Sequence, residues 1–213
     1  MNIPAPHGHL EAVHREPPGT LRGAAVVGHP HPLMGGTMHT KAVFRAAQAL
    51  ADVKVAALRF NFRGVGTSTG SYDGGIGEKD DVLVSLDWLE ERHPELPLVV
   101  GGVSSGSMVT LSAAADDPRV VALFGIGLPI RTYDYGFLAD VQKPVLIVQG
   151  EGDEFGSGPE VEPFIAALGS HVTLAIIAGG DHYFEGHIDE MKTVVSEYFQ
   201  NGPGGEAVGG NIG

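Results

Sequence analysis

The sequence of 213 residues predicts an α/β fold in which helices cover both faces of a mostly parallel, doubly wound sheet. Two observations lead to this prediction. Short runs rich in Val, Ile, Leu and Ala alternate along the chain with longer segments of helical periodicity. Most of the short runs are also continuously apolar, which is typical of parallel strands that are buried on both faces.

The elements follow one another in a regular order. Six strands are predicted, at Arg22 to Gly28, Lys54 to Phe60, Leu98 to Val103, Val120 to Ile126, Val145 to Gln149 and Val172 to Ala178. Five helices are predicted between and after them, at His39 to Ala51, Glu78 to His93, Ser105 to Ala115, Pro159 to Leu168 and His187 to Gln200. An additional antiparallel strand is expected around Leu10 to His14.

The domain organisation is predicted to be simple. Residues 1–201 are expected to form a single domain, since no stretch is long enough for a second one. Residues 202–213 are rich in glycine and show no periodicity, so we expect a flexible tail. Fewer than twenty residues separate the strands ending near Ile126 and beginning at Val145, which leaves room for a loop and a short helix but not for a large cap domain.

Composition excludes several classes of function. The formal net charge is −13 and no segment concentrates Lys and Arg, so binding to nucleic acid or to an anionic membrane is not expected. The chain has no cysteine, which excludes disulfides, thiolate metal sites and a cysteine nucleophile. No secretory signal and no apolar stretch of about 20 residues is present. We expect a cytoplasmic protein without a cofactor, and the sequence leaves room for a homodimer.

The strongest local motif lies where a buried strand meets a helix. Gly102, Ser104 and Gly106 match the GxSxG pattern of a nucleophile elbow. In such a turn the serine adopts a strained conformation, and its neighbours must lack side chains so that the turn can close. The alternative is that Ser104 and Ser105 are ordinary helix N-caps. The strand before the motif and the helix after it favour the nucleophile.

A serine nucleophile needs a base and a carboxylate that orients the base. In chain order these should follow the serine, each after a strand. Asp153 is favoured as the acid over Glu151 and Glu154, because glycines let its loop turn inward. His182 is the candidate base. Asp181 is a weaker candidate acid, since neighbouring residues seldom direct their side chains at each other.

With these residues placed, the chain resembles the α/β-hydrolase superfamily, and within it the small, lid-less serine esterases similar to dienelactone hydrolase. The resemblance rests on Gly28-His29-Pro30-His31-Pro32, on Asn61 to Ser68, on the elbow, on Gly150 to Asp153 and on Asp181-His182. It implies Ser104 as nucleophile, Asp153 as acid and His182 as base. Dienelactone hydrolases themselves use a cysteine, so their substrate cannot be carried over to this chain.

The resemblance also implies an oxyanion hole made of backbone N–H groups. One donor should be Ser105, the residue after the nucleophile. The second should come from the loop at residues 29–36, whose two prolines have no N–H to donate. This leaves His31, Leu33 or Met34, of which Leu33 is favoured and His31 comes next.

Apolar and aromatic side chains near the ends of the strands are candidates for the substrate pocket. They are Leu33, Met34, Tyr133, Phe155, Tyr183 and Phe184. The sequence assigns them to the pocket without excluding that some belong to the core.

A metal site at the His29-x-His31 pair, completed by His182 or His187, is the less favoured reading of these histidines. No carboxylate accompanies the pair at a spacing typical of metallohydrolases. A packed and hydrogen-bonded His29 is the better interpretation.

Taken together, these features predict an acyl hydrolase that cleaves short-chain or small soluble carboxylic esters through an acyl-enzyme. The same triad also serves thioesterases, amidases, peptidases and carbon–carbon hydrolases, and spacing alone cannot separate them. A hydrolase fold that only binds its ligand is the alternative from a different class.

Overall fold

A computed structural model describes residues 1–209 of the chain. Its centre is an eight-stranded sheet with the strand order β1-β2-β4-β3-β5-β6-β7-β8. The strands from β4 to β8 in this order run parallel, while β1 and β2 are antiparallel to their neighbours. The strands are β1 Asn2–Ala5, β2 Gly8–Arg15, β3 Gly23–Gly28, β4 Val55–Phe60, β5 Leu98–Val103, β6 Val120–Ile126, β7 Val145–Gly150 and β8 Val172–Ile177.

Helices cover both faces of this sheet. Their bounds are α1 Lys41–Asp52, α2 Gly77–Arg92, α3 Ser105–Ala114, α4 Gly158–Leu168, α5 Ile188–Asn201 and α6 Pro203–Ala207. One apolar core lies between the sheet and α2, α3 and α4, and a second lies between the sheet and α1, α5 and α6. The three-layer, doubly wound α/β-hydrolase fold predicted from the sequence is confirmed.

Strand β3 shows why the buried strands read as continuous apolar runs. Ala24 and Val26 belong to one core, whereas Ala25 and Val27 belong to the other. Successive side chains of a strand point to opposite faces, so a strand between two helical layers needs apolar residues at every position.

The six predicted strands and five predicted helices are present, with ends that differ by at most two residues. The expected antiparallel strand is the longer β2, which forms a hairpin with β1, an element that was not predicted. Between β6 and β7 the chain forms a loop and a short 3-10 helix at Gly136–Asp140, as the length of this segment predicted.

The expectation of a flexible tail is wrong for residues 202–209. Helix α6 occupies much of this segment, and Val208 is buried in the second core. Gly204 lies against the ring of Tyr198, where a Cβ atom would come within 2.6 Å of the ring. Arg22 donates hydrogen bonds to the carbonyls of Phe199 and Gly205. The glycines therefore allow close packing here, and residues 210–213 lie outside the described part of the chain.

Within residues 1–209, no helix is both long enough and apolar enough to cross a membrane.

Candidate active site

The turn from β5 to α3 places Ser104 in a strained conformation. Its φ is +54° and its ψ is −132°, an unusual region for a residue with a side chain. Its N–H donates to the carbonyl of Ile126 on the adjacent strand, 2.8 Å away. A Cβ on Gly102 would lie 2.6 Å from the Gly106 backbone, and one on Gly106 would collide with the His29 carbonyl. The glycines of the GxSxG motif are thus required by the close approach of three backbone segments.

A continuous chain of hydrogen bonds starts at this serine. Ser104 Oγ lies 2.9 Å from His182 Nε2, and His182 Nδ1 lies 2.8 Å from Asp153 Oδ2. Because the Asp153 carboxylate only accepts, Nδ1 carries the proton and Nε2 is left to accept from the serine hydroxyl. The three residues follow β5, β7 and β8, and the parallel strands bring them together at the carboxyl edge of the sheet.

Asp153 is held in a fully buried cradle. Its Oδ1 accepts the N–H of Phe155 at 2.8 Å, and its Oδ2 also accepts from Gln149 Nε2 at 2.9 Å. The same amide nitrogen of Gln149 donates to the Gly156 carbonyl, while Gln149 Oε1 accepts the N–H of Leu128. Gln149 therefore fixes the orientation of Asp153 and joins the ends of two strands.

Sequence reasoning missed Gln149. The available signal was a lone polar residue at the end of the otherwise apolar strand β7. A side-chain amide that is completely buried needs partners for both its oxygen and its nitrogen, so it is seldom placed at such a position for packing alone.

Two backbone N–H groups beside Ser104 are suited to stabilising an oxyanion. Ser105 is the first residue of α3, so its N–H has no partner within the helix. The N–H of His31 has no hydrogen-bond acceptor within residues 1–209, and both residues line the groove that contains Ser104. The N–H of Leu33 instead donates to His31 Nδ1 at 3.2 Å, and that of Met34 donates to the His31 carbonyl.

The structure therefore favours His31 over Leu33 as the second donor, which reverses the order expected from the sequence. A local turn around His31 occupies the N–H groups of the residues after it. The His31 ring is held in turn by Tyr72, whose hydroxyl lies 3.1 Å from Nε2. Because Nδ1 accepts the Leu33 N–H, Nε2 carries the proton and donates to Tyr72.

His29 lies beneath this loop and is fully buried. Its Nδ1 lies 2.6 Å from the Pro30 carbonyl, and its Nε2 accepts the N–H of Phe62 at 3.1 Å. Burial lowers the pKa of His29 to about 4, so the ring is neutral near pH 7. Both ring nitrogens are used by the backbone, which leaves no lone pair for a metal and supports the packed, hydrogen-bonded interpretation.

A groove of about 640 Å³ contains Ser104 and His182. Four of the predicted pocket residues line it, namely Met34, Tyr133, Phe155 and Tyr183. The rings of Phe155 and Tyr183 both pack against the imidazole of His182. Lys41 and Glu185, which the sequence did not single out, also line the groove with opposite charges.

The assignment of Phe184 to the pocket is wrong. Its side chain is completely buried and belongs to the second core, together with residues of α1 and α5. Its φ of +54° turns the chain so that Tyr183 faces the groove while Phe184 faces inward. Leu33 is 74% exposed and lies outside the groove.

A smaller depression of about 240 Å³ lies next to the large groove. His31, Ser105 and Tyr133 line both this depression and the large groove. Tyr72, Ile76, Met108 and Val109 supply much of its remaining surface. The serine therefore lies near the junction of two recesses of unequal size.

Comparison with known proteins supports this description. A family model described as an alpha/beta hydrolase domain matches residues 29–198. The chain belongs to the alpha/beta hydrolase family.

Solved alpha/beta hydrolase structures are similar over nearly the whole chain. A serine hydrolase homologue from Coxiella burnetii is 34% identical, with a TM-score of 0.86, covering 92% of this chain and 95% of that one. A serine hydrolase without a lid from Xanthomonas campestris is 32% identical, with a TM-score of 0.85, covering 93% and 92%. An uncharacterised protein of Rickettsia prowazekii is 33% identical, covering 91% of this chain and 85% of that protein. The two relatives described as serine hydrolases support a hydrolase.

Proposed function

We propose that this alpha/beta hydrolase is a serine carboxylesterase that cleaves short-chain or small soluble esters through an acyl-enzyme. The observation that carries the proposal is the hydrogen-bonded chain Asp153–His182–Ser104, which ends at a strained serine in an open groove. An acyl-enzyme forms when a serine hydroxyl attacks the substrate carbonyl. The hydroxyl is activated by a base that takes its proton, and a buried carboxylate orients that base.

In the first half of the reaction, Ser104 Oγ attacks the carbonyl carbon of the ester. The hydroxyl proton passes to His182 Nε2, and Asp153 stabilises the resulting imidazolium. The negative charge that develops on the carbonyl oxygen is accepted by the N–H groups of Ser105 and His31. When the tetrahedral intermediate collapses, the bond to the alcohol oxygen breaks and that oxygen takes the proton from Nε2.

In the second half, water attacks the acyl-enzyme. His182 Nε2 takes a proton from the water, and the second tetrahedral intermediate is stabilised by the same two donors. Collapse breaks the bond to Ser104 Oγ, which recovers its proton from Nε2. The carboxylic acid then leaves, and the free enzyme is restored.

The dimensions of the site support a small substrate. Two recesses of about 640 and 240 Å³ meet near the nucleophile, which gives separate space for the alcohol and acyl parts of an ester. The smaller recess suits a short acyl chain. Within residues 1–209, the only regular element in the connection between β6 and β7 is the 3-10 helix Gly136–Asp140, so this connection supplies no cap domain over the groove.

The decisive experiment is covalent labelling with a fluorophosphonate probe, followed by peptide mapping. We expect one labelled site, Ser104, and no labelling of Ser104→Ala. Ser105→Ala is the matched control, since it removes a neighbouring hydroxyl but keeps the backbone N–H, and it should label normally. A folded wild-type protein that does not label at Ser104 would exclude the serine mechanism.

The substrate class is tested with p-nitrophenyl esters of increasing acyl length, alongside thioesters and anilides of the preferred acid. Esters whose acyl chain has about two to four carbons should give the highest kcat/KM. A preference for long chains would contradict the role of the small recess, and a preference for thioesters or anilides would assign the same triad to one of those reactions. Turnover that survives Ser104→Ala but is lost with a chelator would indicate a metal-dependent reaction instead.

A further inference from the structure

A second cluster of polar side chains lies at the opposite edge of the sheet from Ser104. His14 is in β2, Glu16 directly follows this strand, and His93 is the C-cap residue directly after α2. Helix α2 begins beside the catalytic groove, where Lys79 lines the smaller recess. Its 16 residues span about 24 Å, so its far end is well separated from the catalytic serine.

The three side chains converge on one point. His14 Nδ1 lies 3.4 Å from Glu16 Oε1, and His93 Nε2 lies 3.6 Å from the same oxygen. One ligand atom from each residue can be chosen so that all three are within 4.8 Å of one another. Two imidazoles and one carboxylate are a ligand set that zinc commonly uses.

The two separations from Glu16 Oε1 are compatible with tetrahedral coordination. With zinc–nitrogen and zinc–oxygen bonds of about 2.0 to 2.1 Å, neighbouring ligand atoms of a tetrahedron lie about 3.3 to 3.4 Å apart. The separations of 3.4 and 3.6 Å are close to this edge length. Both separations are also longer than good N–H···O hydrogen bonds, so the two rings do not form strong hydrogen bonds with Glu16.

The hydrogen bonds of the two rings leave ring nitrogens without a protein partner in the part of the chain that the structure describes. The buried Nε2 atoms of both rings have no hydrogen-bond partner within residues 1–209, and of these two it is His93 Nε2 that faces Glu16 Oε1, whereas His14 faces this oxygen through Nδ1.

The surroundings hold the ligands without closing the site. The His14 ring meets Trp88 edge to face, with 5.1 Å between the ring centroids, and its side chain is only 6% exposed. Glu16 is 40% exposed, which leaves access for a cation and a water molecule. Arg92 Nε donates to the same oxygen, Glu16 Oε1, at 2.9 Å, and the Arg92 side chain is about half exposed, so it can turn into solvent when an ion takes its place.

We propose that His14, Glu16 and His93 form a binding site for a divalent transition-metal ion, with zinc as the best fit and water as the fourth ligand. The ion would tie the end of β2 to the end of α2. This role is structural, because the cluster lies away from the groove and shares no residue with it. The site is thus independent of the proposed esterase activity.

The test is isothermal titration of Zn²⁺ into chelator-treated, full-length protein that carries no histidine tag. We expect one ion per chain, visible absorption bands of tetrahedral geometry when Co²⁺ is used instead, and a melting temperature that rises with Zn²⁺ concentration. Ester hydrolysis and fluorophosphonate labelling should be the same with and without the ion, which separates this proposal from the function of Ser104.

Two variants assign the site. His93→Ala and Glu16→Gln should each weaken Zn²⁺ binding by more than about tenfold and reduce the thermal shift. Glu16 is partly exposed, so its variant should remain folded even if removal of His93 disturbs the end of α2. The matched control is His187→Ala, which removes an exposed histidine paired with Glu190 and should bind as the wild type does. Absence of stoichiometric binding, or wild-type affinity in both variants, would overturn the proposal.

Discussion

The loops after β3 and after β8 each place a buried histidine at the carboxyl edge of the sheet, but the two histidines have different partners. Both nitrogens of His29 contact backbone groups, the Pro30 carbonyl and the Phe62 N–H. Both nitrogens of His182 contact side chains, the Asp153 carboxylate and the Ser104 hydroxyl.

The difference shows what makes a histidine suitable for chemistry. A backbone carbonyl and an N–H fix a neutral ring and give it no group with which to exchange a proton. A carboxylate stabilises the charged ring, and a hydroxyl supplies a proton that the ring can take. We therefore expect changes at His29 to affect mainly stability, and changes around His182 to affect mainly the rate of ester hydrolysis.

The largest effect should come from His182→Gln. Without a base, the kcat/KM for a p-nitrophenyl ester should fall by about 10⁴-fold or more. Steady-state kinetics measure this loss, and circular dichroism checks that the variant is folded. The parallel variant, His29→Gln, should keep kcat/KM within about tenfold of wild type; an equal loss in a folded His29 variant would break the distinction between the two rings.

A smaller effect should follow from Gln149→Leu, which removes a donor to Asp153 while keeping similar volume. Hydrogen bonds to charged groups contribute about 1.5 to 3 kcal/mol, so we expect kcat to fall by about ten- to a hundredfold. Gln142→Leu is the matched control, because that side chain is exposed and, in the described part of the chain, bonds only the nearby Asp140 carbonyl. Unchanged kcat in Gln149→Leu would show that Asp153 is oriented without it.

The stability of His29→Gln should decrease by about 1 to 3 kcal/mol, because buried backbone groups of Pro30 and Phe62 lose their partner. Urea unfolding at pH 7.5 measures the free energy of unfolding. His187→Gln, at an exposed position, should remain close to wild type. If His29→Gln were as stable as that control, the buried ring would not hold the loop in place.

The smallest effect concerns pH. The pKa of His29 is about 4 in the folded protein and about 6.5 in an unfolded chain, so below pH 6.5 the unfolded state binds a proton that the folded state does not. The free energy of unfolding should therefore decrease as the pH is lowered. His29 should contribute about 1 kcal/mol of the decrease between pH 7 and pH 5.5. Urea unfolding should give a correspondingly smaller loss for His29→Gln; equal losses would contradict a neutral His29.

Much of the fold and the candidate triad could be predicted because their signals are local. A buried strand is recognisable from its own residues, and Gly102, Ser104 and Gly106 encode a turn within five positions. The order of serine, acid and histidine then follows from strands that all end at the same edge. The prediction of a flexible tail was wrong for a related reason. A run of glycines indicates a mobile chain when it is read locally, but here a distant contact, the close packing of Gly204 on Tyr198, decides the structure.

The roles that could not be predicted depend on contacts between residues that are distant in the sequence, or on a single hydrogen bond or backbone angle. Leu33 and His31 both carry an N–H in the right loop, and only the turn shows that the first is occupied. Tyr183 and Phe184 are adjacent aromatics, and only the backbone angle at Phe184 decides which one faces the groove.

By itself, the sequence determined the three-layer α/β architecture and the positions of Ser104, Asp153 and His182 at strand ends, because periodicity and turn chemistry act over a few residues. The tertiary structure decided which groups meet there: Gln149 behind Asp153, His31 beside Ser105, and at the far edge His14 with His93. Such meetings depend on the pairing of strands and on where a helix ends, which are set by packing over the whole chain.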